Sequence, residues 1–217
     1  YQMEGTLQTP VNDKEGYTFV NALRQLLRQN PDIMMIGEIR DNETAVAAVQ
    51  AALTGHLVLS TIHTNNAAGA VARMVNMGVA PNDIASSVNC FIAQRLVRRL
   101  CDCKKKVKPT TEEKAKIEAN IKKISPKSGV AIPSVGDIYK PGGCSKCNGI
   151  GYHGRMTVSE IFLISRDIQE MITRGAITND LEDKAVENGM LTMAQDGVIR
   201  VLEGETTLEE VERVTDL

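Results

Sequence analysis

A chain of 217 residues has room for one large domain or two small ones. Its formal net charge of −2 excludes a nucleic-acid binder that works by bulk charge, and no apolar run approaches the roughly 20 residues needed to span a bilayer. Aromatic residues make up 3% of the chain and Trp is absent, so the core is aliphatic, which suits α/β packing better than a small β-sandwich.

The opening Tyr1-Gln2-Met3-Glu4 has neither the basic start nor the apolar core of a signal peptide, and the chain is expected to be a fragment. Residues 1–15 read as extended and irregular, punctuated by Gly5, Pro10 and Asn12-Asp13. Thr18 can cap a helix from Phe19 to Gln29, with Phe19, Ala22, Leu23, Leu26 and Leu27 as its buried stripe. Arg24 and Arg28 lie four apart and project from one face of that helix, as a solvated basic face or as a phosphate-facing pair. Ile33-Met34-Met35-Ile36 is wholly apolar and predicts a strand buried on both faces of a parallel sheet. Glu38 stands just beyond its end. Asp41 or Asn42 can cap a helix with Glu43 in its first turn, apolar residues at helical spacing from Ala45 to Leu53, and Gly55 as its stop. Leu57-Val58-Leu59 begins a second buried strand, which runs into Ser60-Thr61 and then His63-Thr64-Asn65. Ligands of open α/β sheets sit beyond the carboxyl ends of parallel strands, so Glu38 and His63 are expected side by side where chemistry happens. His56 lies at the opposite end of its strand and reads as structural.

Asn66 can cap a further helix through Val75, stopped by Gly78, and Pro81 opens a short one through Ser87. Cys90, Ile92, Leu96 and Leu100 tend toward one face of a strand, with Cys90 as a small buried hydrophobe. Arg95, Arg98 and Arg99 make a basic edge with no assigned role. Composition shifts at Cys101, where Lys104, Lys105, Lys106 and Lys108 read as a solvated run. Thr110 with Glu113 fits a capping box and starts a short charged helix. Residues 125–136 are loop-like, and the small residues of 141–149 suit a metal knuckle. A strand over 156–162 follows. Helices then start after Ser165 and at Thr178 and Thr192, and Thr207 with Glu210 offers a second capping box for the last one.

Two of the five cysteines form the pair Cys101-x-Cys103 and two more form Cys144-x-x-Cys147; in a chain with no secretion signal, such pairs favour metal over disulfides. Four thiolates can make a closed tetrahedral zinc site, with lone reduced thiols as the alternative. The first pair is one residue shorter than the usual spacing, which leaves His153 as a substitute ligand. A closed site has no open position, so zinc there holds structure and does not catalyse. A carboxylate at the end of a buried strand needs water, a cation or donors. Glu38 therefore either pairs with nearby Arg40 or positions magnesium or water in a nucleotide hydrolase. His63 is either a hydrogen-bonded surface group or part of the same site.

The stretch NPDIMMIGEIRDNETAVAAVQAALTGHLVLSTIHTN resembles the ATPases that drive type II secretion and type IV pilus assembly. The likeness continues through IASSVNCFIAQRLVRRLC and a terminal GM-x-x-M-x-x-DG-x-x-x-V-x-x-G pattern, over essentially the whole chain. The resemblance implies that Asp32–Asp41 is a Walker B stretch with Glu38 as its acid. It implies that Thr61–Asn65 is the histidine box, with His63 near the γ-phosphate. Leu23–Asp32 matches the segment whose arginines, here Arg24 and Arg28, relay or contact phosphate charge, with a subunit interface as one place for it. A tetracysteine insertion is typical of the assembly and secretion members of the family and absent from retraction motors. This chain has it, with C-x-C where the family has C-x-x-C. The phosphate-binding loop G-x-x-x-x-G-K-[ST] is nowhere in this sequence, nor is the family's acidic segment that precedes a Tyr like Tyr1. These 217 residues alone are therefore expected to hydrolyse ATP at background rate, and the general base could lie in that acidic segment.

By this resemblance the fold is α/β: the C-terminal part of a RecA-like sheet over 1–100, a tetracysteine zinc segment over 101–153, and a helical subdomain over 154–217. The implied parent is a homo-hexameric motor that uses ATP and Mg2+ and holds Zn2+ on Cys101, Cys103, Cys144 and Cys147. It would be cytoplasmic and peripherally associated with the inner membrane, through a platform protein and the pilin or pseudopilin machinery. Two rivals belong to other classes. One is a zinc-stapled docking module that retains half a nucleotide fold. The other is a motor acting on DNA, which the near-neutral charge and the lack of aromatic platforms disfavour.

Overall fold

The computed structural model describes residues 4–217 as an α/β chain; residues 1–3, expected from sequence to be extended, lie outside the described residues. The chain runs through α1 (Phe19–Leu27), β1 (Ile33–Ile36), α2 (Asn42–Leu53), β2 (Leu57–Ser60), α3 (Gly69–Asn76) and α4 (Pro81–Ser87). Then come β3 (Cys90–Leu100), β4 (Lys105–Val107), α5 (Thr111–Lys122), β5 (Ile138–Lys140) and β6 (Tyr152–Leu163). Helices α6 (Arg166–Thr173), α7 (Thr178–Glu187), α8 (Met193–Leu202) and α9 (Leu208–Glu212) complete it. None of the described helices is long and apolar enough to cross a membrane.

Two compact units divide these elements. The first takes the chain up to Thr64, then Gly69–Asn89 and Ile164–Ala176. Its sheet is the parallel pair β1–β2, in the register Ile33↔Leu57 to Ile36↔Ser60. Helices α1 and α2 cover one face, where Leu23, Met34 and Ala51 pack with Phe19, Leu27, Ala47 and Val58. Thr18 caps α1 by accepting from Asn21 N, and Asp41 caps α2 by accepting from Thr44 N at 2.8 Å, as their side chains lead one to expect. Among the described residues the sheet is buried on one face only. Met34 and Ile36 are buried, whereas Ile33 is 62% and Met35 73% exposed, and Leu57 and Leu59 are exposed beside them. The cause is the period of two: the helices lie on one side, so alternate side chains meet solvent. Helix α3 starts at Gly69 and not at Asn66, whose amide is engaged elsewhere, on Glu182.

The second unit takes Asn65–Ala68, Cys90–Leu163 and Ile177–Leu217. Its frame is the long antiparallel ribbon β3–β6, paired from Cys90↔Leu163 to Leu100↔Tyr152. Ala93, Val97, Val158, Glu160 and Phe162 form the buried face. The apolar stripe anticipated for β3 lies largely on the other side: Ile92 and Leu96 are exposed, and Cys90 is only partly buried. A second ribbon, β4–β5, pairs the lysine run with Ile138-Tyr139-Lys140. Its Ile138 enters a core with Ile117, Val198, Val201, Leu202, Leu208 and Val211, drawn from α5, β5, α8 and α9.

The compact units thus follow other lines than the three consecutive segments anticipated from sequence. Strand β3 was expected to complete the β1–β2 sheet, yet its hydrogen bonds go to β6. The residues on either side of position 153 share one core, so no boundary between units falls there.

Candidate active site and metal centre

Beyond the β1–β2 ladder the two strands stay zipped. Ile39 N donates to Thr61 O at 2.9 Å, and Thr61 Oγ1 donates to Gly37 O at 2.8 Å. These bonds hold the segments leaving both strands side by side at their carboxyl ends. As a result Glu38 and His63 meet: His63 Nε2 lies 2.7 Å from Glu38 Oε1. Arg40 Nη2 takes the other oxygen at 2.5 Å. The pairing with Arg40 and the meeting with His63, posed as alternatives for Glu38, coexist. Glu38 is 22% exposed, while both of its partners stand open to solvent. The Arg40 guanidinium holds the Glu38 carboxyl below the usual carboxylate range, against an opposing effect of burial, and His63 adds to it. Glu38 is thus an ionised, pre-aimed acceptor. With Nε2 bound to Glu38, His63 leaves Nδ1 as its other polar atom, an acceptor in the neutral ring and a donor in the charged one.

Arg24 and Arg28 occupy the last turn and the C-cap of α1, exposed to solvent. Among the described residues neither has a carboxylate partner, and none of the hydrogen bonds links them to Glu38 or His63. His56 bonds through Nδ1 to Ala51 O at 3.0 Å, which closes the end of α2.

The four paired cysteines converge. Their sulfurs all lie within 4.8 Å of one another. Cys101–Cys144 and Cys103–Cys147 are each 3.8 Å apart, and Cys144–Cys147 3.7 Å. A zinc ion ~2.3 Å from four tetrahedral sulfurs sets them ~3.8 Å apart, so the donor set fits the ion. The short C-x-C arm reaches the cluster because Cys101 directly follows the last residue of β3 while Cys103 lies in the turn beyond it, so both thiols face the knuckle around Cys144–Cys147. His153 is not in the cluster. The amides of Cys144 and Gly151 donate to Cys147 Sγ and hold its thiol down at about 6, against burial. Burial and the surrounding sulfurs push Cys103 up to about 12. Four thiols this close cannot all ionise without a cation to offset them. Lys146 pairs with Asp102 at 2.6 Å and ties the two arms at the rim.

Sequence reasoning missed the fully buried Glu210 and Glu160. Glu210 accepts from Arg98 and Arg213, and Glu160 accepts from two backbone amides. Each stands at a position whose pattern suggested an ordinary cap or strand residue.

An acid and a histidine at the ends of adjacent parallel strands in one unit, and a four-cysteine cluster in the other, sit on the fold of the secretion ATPases. The pilus retraction motor PilT with bound ADP superposes with a TM-score of 0.61 at 22% identity, over 92% of this chain and 44% of that one. The Legionella pneumophila ATPase DotB gives 0.58 at 21% identity, over 91% of this chain and 42% of that one. The profile of the type II/IV secretion system protein family matches residues 1–213, and the chain belongs to that family. The type IV pilus assembly ATPase PilB of Thermus thermophilus is 43% identical over 97% of this chain. The type II secretion system protein E of Dickeya dadantii is 44% identical over 99% of it. The chain spans 23% and 41% of the length of these two relatives.

Proposed function

We propose that this chain is the C-terminal part of the RecA-like domain of a hexameric motor ATPase that powers pilus or pseudopilus assembly. The observation that supports it most is the Glu38–His63 pair at the carboxyl ends of β1 and β2. In this reading the ionised Glu38 orients an attacking water or a hydrated magnesium ion. Arg40, exposed and paired with Glu38, can swing aside as a ligand enters. His63 offers Nδ1 toward the γ-phosphate, as a donor when the ring is charged. Magnesium bound there would offset the charge of the phosphates. Arg24 and Arg28, on an exposed helix end and with no carboxylate partner among the described residues, supply positive charge to a phosphate across a subunit interface. Cys101, Cys103, Cys144 and Cys147 hold a structural zinc ion. The whole motor acts in the cytoplasm, at the inner membrane, on a platform protein and the pilin or pseudopilin machinery.

A second reading is a zinc-stapled docking module. One observation favours it: the unit around β3 and β6 has its own core.

Steady-state ATPase assays on a longer version of the chain that carries the phosphate-binding loop separate the two. Glu38→Gln should lower kcat by about a hundredfold or more, and the 217-residue polypeptide alone should stay at background. No turnover by the wild-type longer chain would leave the docking module as the better reading, and wild-type turnover in Glu38→Gln would remove Glu38 from the chemistry. Turnover by the isolated polypeptide that Glu38→Gln abolishes would show that the missing loop is dispensable.

A further inference from the structure

Three side chains from three elements converge on three successive residues. Arg95 of β3 donates from Nη2 to Asn65 O at 3.0 Å. Glu182 of α7 accepts from Asn66 Nδ2 at 2.8 Å. Glu160 of β6 accepts from Ala67 N at 2.6 Å, and its second oxygen accepts from Met193 N, in the first turn of α8, at 3.2 Å. Glu160 is 4% exposed. A carboxylate so placed is costly unless donors meet it. Two backbone amides meet this one, and the positive end of α8 adds to them. Asn65–Ala68 is accordingly built into the unit of β3, β6, α7 and α8 and not into the one that holds the strand it follows. Only Thr64 separates this anchored segment from His63, so few backbone dihedrals remain free between them.

We infer that Glu160 is a positioning residue for ATP hydrolysis: with Arg95 and Glu182 it anchors Asn65–Ala67, and through that anchor it fixes where His63 stands. The inference rests on the reading of Glu38 and His63 as nucleotide-facing groups. Glu182 fits the same arrangement, since burial and the charges of Glu160 and Asp183 raise its carboxyl above the usual range, while Asn66 offsets part of that.

The test is a double-mutant cycle in a longer, loop-containing chain, with kcat and KM for ATP measured for wild type, His63→Ala, Glu160→Gln, Arg95→Ala and the Glu160→Gln pair with His63→Ala. Gln keeps the volume and one acceptor of Glu160 but turns an NH2 toward a backbone N–H, so one amide loses its partner. The expected result is a fall of about tenfold in kcat with KM little changed, the kinetic equivalent of one charge-assisted hydrogen bond. On the His63→Ala background Glu160→Gln should add nothing, because its effect passes through His63. Arg95→Ala alters a partly exposed side chain, spares the core, and should lower kcat in the same direction; it decides the matter should Glu160→Gln not fold. Full kcat in both single variants beside an impaired His63→Ala overturns the inference and leaves the site reading standing. Effects of Glu160→Gln and His63→Ala that multiply overturn it too, since a merely structural carboxylate acts that way. A wild-type kcat in His63→Ala sinks the site reading, and the inference with it.

Discussion

Glu210 lies three residues after Thr207, the spacing of a capping box, and half of the box forms: Thr207 Oγ1 accepts from Glu210 N. The carboxylate turns away from the cap. It is 2% exposed, accepts from the backbone N and Nη2 of Arg98 and from Arg213, and Arg98 also stacks on the Tyr152 ring at 4.2 Å. Nothing local announces this, because Arg98 is 112 residues distant in sequence. Burial alone would raise the Glu210 carboxyl, but Arg213 and Arg98 outweigh it and push it down to about 2 from an ordinary 4.5. A depressed folded-state value means that Glu210 stabilises the fold in full above the unfolded value, and that this is lost as pH falls from 4.5 through about 2. The difference amounts to on the order of 3 kcal/mol. Denaturant midpoints of wild type and Glu210→Gln, followed over pH, should stay a constant distance apart near neutrality and converge in acid. A gap that does not narrow below about pH 4 would show that Glu210 is not ionised through these contacts. Gly142 makes a sharper residue-scale case. A Cβ there would lie 2.0 Å from the Cys103 carbonyl oxygen, a backbone atom that cannot give way without moving the C-x-C arm. Gly142→Ala should therefore impair zinc uptake, read by metal analysis of the purified chain; full stoichiometric zinc in that variant would mean that the arm adapts.

At the scale of elements, what the sequence made legible is what neighbours in sequence decide. The caps of α1 and α2 and the capping box of α5 all depend on residues within a few positions of each other, and each forms as written. The strand β1 was legible, but its second face was not, because coverage depends on where helices lie. The β4–β5 ribbon escaped notice since its two halves are separated by α5 and read locally as a lysine run and a loop. The convergence of four cysteines was suggested by their pairs, whereas the anchoring of Asn65–Ala67 needed three side chains from β3, β6 and α7 that no spacing connects. The same distinction sharpens the effect of losing a ligand. If the metal alone held this segment, removing one cysteine would unfold everything from Cys101 to Cys147. In the structure Ile117 of α5 and Ile138 of β5 are buried with Val198 and Val201 of α8, so those two elements have support apart from the metal. Cys144→Ser should cost hydrogen-exchange protection around Cys101–Lys104 and Cys144–Gly151 while α5 and β5 keep theirs. Loss of protection throughout α5 would mean that the zinc, and not this core, holds the segment.

For the whole molecule, the division into two units has a consequence for unfolding. The first unit rests on a two-stranded sheet with Ile33, Met35, Leu57 and Leu59 open to solvent on one face. Each such side chain forgoes about 1.5–3 kcal/mol relative to full burial, and isolated two-stranded sheets are marginal in water. The second unit has an eleven-residue strand, β3, paired along nearly its whole length with β6. It adds a core of seven buried residues and a buried, fully partnered carboxylate cluster at Glu210. Stability should therefore be unequal, and the isolated 217-residue chain should not unfold in one step. Hydrogen exchange in rising denaturant checks this: amides of β1 and β2 should open well before those of β3 and β6, and tyrosine-based and far-UV transitions should separate. Superimposable opening curves for the two ribbons would show that the units share their stabilisation and unfold as one.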